Sequence, residues 1–304
     1  MLGAGSSRAL LRYTKDGALD STFGSGGIVV SDPATDAKWA AVAVQSDGKI
    51  VVAESRGTTN QVGAARFNMD GAPDSSFGVG GEALVSLPPP SGGSIAVAPA
   101  IAIQPDGKIL VGGSRDFSGG LVILLHYSVL VRFDAKGVAD PAFAAPSLEE
   151  GLSAIVLQPD GKILAEIVGG ELAGPVRTVS RLLPDGTLDT TFGVGGTASN
   201  IAGLLVVQRN GKIVTAENIN VGTAPNLRAG VKLSRYDSNS ALDTSFGNGG
   251  TVVQLIEANN AAGAIAIQPD GRIVVAGYET ANPDPAFPPS AIASVALVRY
   301  FGDP

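Results

Sequence analysis

The chain contains no cysteine and a single histidine, His126. Disulfides, cysteine-ligated zinc and a histidine-rich metal centre are therefore excluded. Any Ser-His-Asp triad would have to use that one imidazole. Charge is scarce as well: charged residues make up 16% of the chain, and the formal net charge is −7. No basic cluster offsets this, so nucleic acid is not an expected partner. Long hydrophobic runs are also missing. The longest, Leu121 to Phe133, is interrupted by His126 and Arg132 and is too short to span a membrane. The start, Met1-Leu2-Gly3-Ala4-Gly5, shows neither the charged nor the apolar region of a signal peptide. The expectation is a cytoplasmic chain as written, or a secreted one if a signal has been removed.

Glycine, by contrast, is abundant at 41 of 304 residues, and hydrophobic residues reach 44%. This composition marks a turn-rich folded chain and not a disordered one. Two motifs recur along it. The shorter, Gln-x-Asp-Gly-Lys-Ile, begins at Gln45, Gln104, Gln158, Gln208 (as Asn210-Gly211) and Gln268 (as Gly271-Arg272), at spacings of 59, 54, 50 and 60 residues. The longer is Arg-aromatic-x-x-Asp-Gly-x-x-Asp-x-x-Phe-Gly-x-Gly-Gly. It begins at Arg12, Arg66, Arg132, Arg181 and Arg235, with a truncated sixth copy at Arg299-Tyr300.

Short runs of β-formers lie between the motifs, and no segment has a convincing helical period. One unit reads as four strands. Strand a follows the Gly-Gly, b ends at the Gln, c starts at the Lys-Ile, and d ends at the Arg. Four antiparallel strands in 50 to 60 residues is the size of one propeller blade. The expectation is an all-β chain: a β-propeller of five complete four-stranded blades plus a partial N-terminal blade, forming one domain over 1–304. A solenoid of β-units is the rival architecture. The unpaired N-terminal strands would either help form a sixth blade or pair elsewhere, for example with a second chain in a dimer.

The two motifs together resemble the delta-60 repeat family, and the resemblance covers nearly the whole chain. It implies a β-propeller and little about chemistry. The third unit departs from the pattern, with Lys136-Gly137 for Asp-Gly and Phe143-Ala144-Ala145-Pro146 for Phe-Gly-x-Gly-Gly. The fifth long motif has Asn239-Ser240 at the Asp-Gly place. Such irregular repeats are where function is expected to be grafted.

The Asp-Gly of the short motif suits a two-residue type I′ hairpin joining b to c. The second Asp of the long motif (Asp20, Asp74, Asp140, Asp189, Asp243) is present in all five copies, followed three residues later by Phe. A structural role is expected here: an Asx cap, pairing with the repeated Arg, and a Phe plug between blades. The alternative is calcium, held by these carboxylates in a central site shared by several blades.

Strand alternation puts the repeated b–c and d–a connections on one face. The variable a–b and c–d loops fall on the other, where binding is expected. Polar residues outside the repeat are the catalytic candidates: Glu149 and Glu150 before strand b of the third unit, and Glu54 and Glu217 on strand c. Asp32 and Asp36 lie beside Trp39, the only tryptophan. Two functions fit. One is a calcium-dependent hydrolase of small esters or lactones, the metal polarising the carbonyl and a carboxylate activating water. The other is a non-catalytic recognition propeller that binds a glycan, peptide or protein on the variable face.

Overall fold

The computed structural model describes residues 9–30, 36–87, 93–95, 100–118, 124–146, 150–169, 176–201, 203–222, 228–255, 259–280 and 292–300. All regular structure among them is β. The chain falls into two compact units. One comprises 1–155 with 167–176 and 183–187; the other comprises 156–166, 177–182 and 188–304.

The first sheet is a pair, β1 (Ala9–Leu11) with β2 (Ile28–Val30). The second has four strands in the order β3 (Ala37–Val44), β4 (Ile50–Arg56), β5 (Gln61–Phe67) and β6 (Glu82–Ser86). In the third, β7 (Gly93–Ile95) and β8 (Ala100–Ile103) both pair with β9 (Ile109–Ser118), which pairs with β10 (Leu124–Phe133). The fourth runs β11 (Gly151–Leu157), β12 (Ile163–Gly169), β13 (Val176–Leu182) and β14 (Thr197–Ala198). The fifth runs β15 (Leu204–Val207), β16 (Ile213–Val221), β17 (Arg228–Tyr236) and β18 (Thr251–Leu255). The last has three strands, β19 (Asn259–Ile267), β20 (Ile273–Thr280) and β21 (Ile292–Tyr300).

The propeller class expected from the repeats holds, but the strand grouping differs by one. Strand a does not open the sheet of its own repeat. It closes the preceding sheet, against strand d: β2 pairs β1, β6 pairs β5, and β18 pairs β17. The unit of sequence and the unit of hydrogen bonding are therefore offset, and the first, second, fourth and fifth long motifs become the d–a connection inside one sheet.

The third sheet shows what this connection requires. At the first Gly after the Phe, φ is +53 to +57 at Gly24, Gly78, Gly193 and Gly247, and an added Cβ would lie 1.9 to 2.3 Å from a backbone carbonyl oxygen. An L-residue is excluded there on both counts. The third repeat has Ala144, which is not at positive φ. No strand corresponding to β6 follows it among the described residues.

The hairpin expected at the short motif is also of another type. Gly48 N–H donates to Gln45 O at 2.9 Å, and Gly48 has φ +83 while Asp47 is not at positive φ. A type I turn followed by one left-handed glycine is the three-residue hairpin with a bulge. Pro105, Pro159 and Pro269 occupy the turn position that favours proline. Asp47 Oδ1 accepts from Lys49 N–H at 3.1 Å.

Each unit buries its own apolar clusters. In the first unit Val51, Ala53, Val62, Ala64, Phe77, Ile109, Val111 and Phe133 pack together. On the opposite face of the second sheet, Phe23, Ile50, Val52, Ala65 and Phe67 form another cluster, partly covered by Leu10, Val29 and Trp39. The second unit buries Phe192, Leu164, Ile213 and Tyr236 in one cluster, and Val214, Leu233, Phe246 and Ile273 in another.

Candidate functional site

The long-motif aspartates, put forward as metal ligands, are the best-defined polar groups in the molecule. In every repeat Oδ2 faces cations and Oδ1 caps a turn. Asp74 Oδ2 accepts from Arg66 Nε at 2.7 Å and from Lys49 Nζ at 2.8 Å. Its Oδ1 accepts from Ser76 N at 3.1 Å and Ser76 Oγ at 2.6 Å. Asp189 has Arg181 Nε at 2.9 Å, Lys162 Nζ at 3.5 Å, and Thr191 Oγ1 at 2.6 Å. Asp243 has Arg235 Nε at 2.7 Å, Lys212 Nζ at 2.8 Å, and Ser245 Oγ at 2.6 Å. Asp20 has Arg12 Nε at 2.9 Å and Thr22 Oγ1 at 2.7 Å. Asp140 takes Nε and Nη2 of Arg132 on one oxygen, at 2.9 and 2.8 Å, and Ala142 N on the other at 3.0 Å. The Arg–Asp pairing is thus present, but through one carboxylate oxygen and not as a two-oxygen fork.

These contacts set the carboxyl acidities. The Thr191 hydroxyl, opposed by burial and helped by Arg181 and Lys162, holds Asp189 down at about 2. Asp243 lies below the ordinary carboxylate range because Lys212 and Ser245 bond to it. For Asp74 burial works the other way, but Lys49, Ser76 and Arg66 outweigh it and the net shift is downward.

The arginine also joins one repeat to the next. Its Nη1 donates to the carbonyl three residues past the following repeat's Arg: Arg12 to Met69, Arg66 to Ala135 at 2.7 Å, Arg132 to Pro184, and Arg181 to Ser238 at 2.6 Å. Its plane lies over the motif's own Phe at 4.5 to 4.7 Å in all five copies. Such stacking contributes about 0.5–2 kcal/mol per copy. The Phe ring in turn rests on the next repeat's Asp-Gly glycine: Phe23 on Gly71, Phe77 on Gly137, Phe143 on Gly186. The Phe is a plug, as expected; the lysine and the neighbouring carbonyl are partners that the sequence reading missed. Among the described residues, no group of three or more His, Cys, Asp and Glu is arranged to hold a metal.

The described catalytic candidates each have partners of their own. Glu149 lies outside the described residues. Glu150 is half-buried at φ +82, with its side chain against Gly169. Glu217 is half-exposed and pairs with Lys232 Nζ at 2.5 Å. Asp32 lies outside the described residues, as does the side chain of His126, whose backbone pairs opposite Asp116 in β10. Asp36 accepts from Thr58 N at 2.7 Å and Thr58 Oγ1 at 2.6 Å.

Glu54 is different. It is fully buried. Its Oε1 accepts from Arg56 Nε at 2.7 Å and its Oε2 from Trp39 Nε1 at 3.1 Å. Arg56 Nη2 reaches across to Glu82 Oε2 at 2.7 Å. The register explains the grouping: Trp39 pairs opposite Glu54, and Glu54 opposite Gly63. Gly63 is required because a Cβ there would lie 1.9 Å from Ala83 O. A second buried carboxylate, Glu166, accepts from Arg177 Nη1 at 2.8 Å and was not anticipated from sequence.

The fold and the repeated staple define a propeller-repeat protein. Its sequence matches a family described as a domain of unknown function (DUF5122) beta-propeller, over residues 2–23, 45–77, 104–125, 158–192 and 268–287. No curated protein matches it significantly. Among solved structures it is similar to a protein of unknown function from Dyadobacter fermentans DSM 18053, at 12% identity and TM-score 0.44, covering 98% of this chain and 88% of that one. It is also similar to MPT-4, a mannose phosphorylase from Leishmania mexicana, at 10% identity and TM-score 0.42, covering 79% and 78%. A third is the GH43 β-1,3-galactosidase BT3683, at 9% identity and TM-score 0.40, covering 95% and 93%. Nothing about this chain's chemistry follows from likenesses at that level.

Proposed function

We propose that the chain, built of delta-60 repeats, is a non-catalytic recognition propeller that binds a glycan, peptide or protein on its variable-loop face. One observation carries this reading. The motif aspartates, arginines and most motif lysines of the repeated face are spent on one another. Several polar residues outside the repeat are instead linked on one face of the second sheet, with Asp36, Arg56 and Thr58 toward its variable end, Glu54 and Glu82 joined to Arg56, and Trp39 joined to Glu54. A calcium-dependent ester or lactone hydrolase needs carboxylate oxygens free to ligate, and the described candidates are engaged by Arg, Lys and hydroxyl groups.

The test is a calcium titration with and without EDTA, read as melting temperature and as hydrolysis of an ester and lactone panel, alongside glycan and peptide arrays. The expected result is no calcium response, no turnover, and binding that Arg56→Ala abolishes while Lys108→Ala, on the opposite face, does not. A calcium-dependent rise in both stability and turnover would replace this reading with the hydrolase.

A dimer through the N-terminal strands belongs to the same proposal. Tyr13 is 59% exposed, whereas its counterparts Phe67, Phe133, Leu182 and Tyr236 are buried. Light scattering coupled to size exclusion tests it, with Tyr13→Ser expected to shift any dimer to monomer.

A further inference from the structure

Glu54 is a buried carboxylate that the repeated staple does not use. Its sheet face carries Val52, Glu54 and Arg56 of β4 in alternation, with Trp39 beside them on β3 and Glu82 two strands away on β6. Gly63 of β5 contributes no side chain between Glu54 and Leu84, so Arg56 can cross to Glu82. Among the described residues, the charged groups facing Glu54 are Arg56 on its own strand and Glu82 on β6. Asp36, just before β3, is taken up by Thr58. From the first sheet the neighbours are the apolar Leu10 and Val29. Glu54 is therefore held by one cation and one indole N–H, in a place with no access to water.

We infer that Glu54 is a proton-operated latch: neutralising its carboxylate releases the Arg56 guanidinium and the Trp39 indole together, and loosens the turn at residues 57–60. In the charged state both oxygens are filled, and Arg56 is divided between Glu54 and Glu82. Protonation replaces the Arg56 ion pair by a weaker neutral contact and leaves Arg56 with Glu82 alone. The turn is sensitive to this because it follows Arg56 directly. Its Thr58 is tied back to Asp36, and Asn60, at φ +54, donates to Leu87 O at 2.9 Å. Burial pushes the Glu54 carboxyl above the usual glutamate value; the Arg56 bond opposes this and the Glu82 charge adds to it. The latch therefore releases at a higher pH than the staples, whose aspartates are shifted the opposite way. This inference concerns the sheet itself and stands whether or not a ligand binds there.

Trp39 is the only tryptophan in the chain, so its emission reports on Glu54 without labelling. The full chain would be titrated between pH 7.5 and 4 (approximate limits bracketing an elevated carboxyl), following tryptophan emission and far-ultraviolet circular dichroism together. The expected result is a reversible emission change with a midpoint above the ordinary glutamate pKa of about 4.3, at constant dichroism. Glu54→Gln removes that change. Glu82→Gln, at a partly exposed position, keeps it but lowers its midpoint by about half a pH unit. The latch is overturned if wild-type emission is flat across this range, if it changes only together with dichroism, or if the transition survives Glu54→Gln. Should Glu54→Gln fail to fold, the Glu82→Gln midpoint decides: a downward shift supports the latch, and an unchanged midpoint refutes it.

Discussion

Replacing Asp189 by alanine asks how much one staple contributes. Arg181 is 1% exposed, and Asp189 supplies the charge facing its Nε at 2.9 Å. Removing one partner of a buried pair costs about 3–5 kcal/mol, because the remaining charge is left uncompensated. Here Arg181 keeps Ser238 O at 2.6 Å, Asn239 Oδ1 at 2.9 Å and the Phe192 ring, which places the pair loss at about 2–3 kcal/mol. Losing the Oδ1 cap to Thr191 N and Oγ1 adds about 1 kcal/mol. The sum is about 3–4 kcal/mol. In a chain of this size that lowers the melting temperature by roughly 5–6 °C. Urea unfolding followed by circular dichroism gives the free energy. In an Arg181→Met background the same replacement should cost only the cap, about 1 kcal/mol, which leaves a coupling of at least about 2 kcal/mol. A cost below about 1 kcal/mol for Asp189→Ala, or no coupling to Arg181, would refute the buried-pair account.

Four further outcomes are expected. Asp189 titrates at about 2 when folded, from 3.8 when unfolded; since its folded value is lowered, its stability is present above about pH 4 and is lost as pH falls toward 2. The midpoint of urea unfolding, measured from pH 7 to 2, should stay level to about pH 5 and then drop, by about 2 kcal/mol for this group. Gly78→Ala, at φ +54 with Glu82 O at 1.9 Å from the added carbon, should cost more than about 2 kcal/mol in calorimetry. Gly80→Ala, at φ +65 with nothing within 4 Å, should cost about 1 kcal/mol. Ser240→Gly relieves a non-glycine residue at φ +82 and should raise the thermal midpoint, by up to about 1 kcal/mol in stability.

Much of the architecture was legible because the repeat is local. The turn glycines and the Arg–Asp spacing are written within 16 consecutive residues, and the strand lengths in the short runs between motifs. What was not legible depends on pairing between distant segments. The sheet boundary was misplaced because strand a adjoins b in sequence, whereas hydrogen bonding joins it back to d. Lys49 reads as the start of a strand, and its partner Asp74 stands 25 residues away. The hairpin type was within reach, since Pro at 105, 159 and 269 favours a type I turn, but the Asp-Gly pair was given more weight. Glu54 stood out as polar at a place where Gly113 and Gly277 sit. Its partner Trp39, 15 residues away, and Glu82, which shares Arg56 with it from 28 residues away, did not.

The irregular repeats were expected to carry function; at their Asp-Gly step the described geometry shows the repair of a turn. At the Asp-Gly step of the long motif, Asp70 Oδ1 accepts from Ala72 N at 2.9 Å, and Asp185 Oδ1 from Thr187 N at 2.9 Å. The third and fifth copies lack this aspartate. In both, an aspartate two residues earlier takes over: Asp134 Oδ1 accepts from Lys136 N and Val138 N at 2.8 Å, and Asp237 Oδ1 from Asn239 N at 2.8 Å and Ala241 N at 2.9 Å. The carboxylate moves, but the backbone amide after the left-handed residue remains capped, and Ser240 adopts the glycine's positive φ to keep the turn. A carboxylate needed for chemistry must keep its position, whereas one needed to satisfy an amide only has to reach it. The substitutions on the repeated face follow the second rule. That is the physical reason for the proposal to place ligand binding at the opposite ends of the strands.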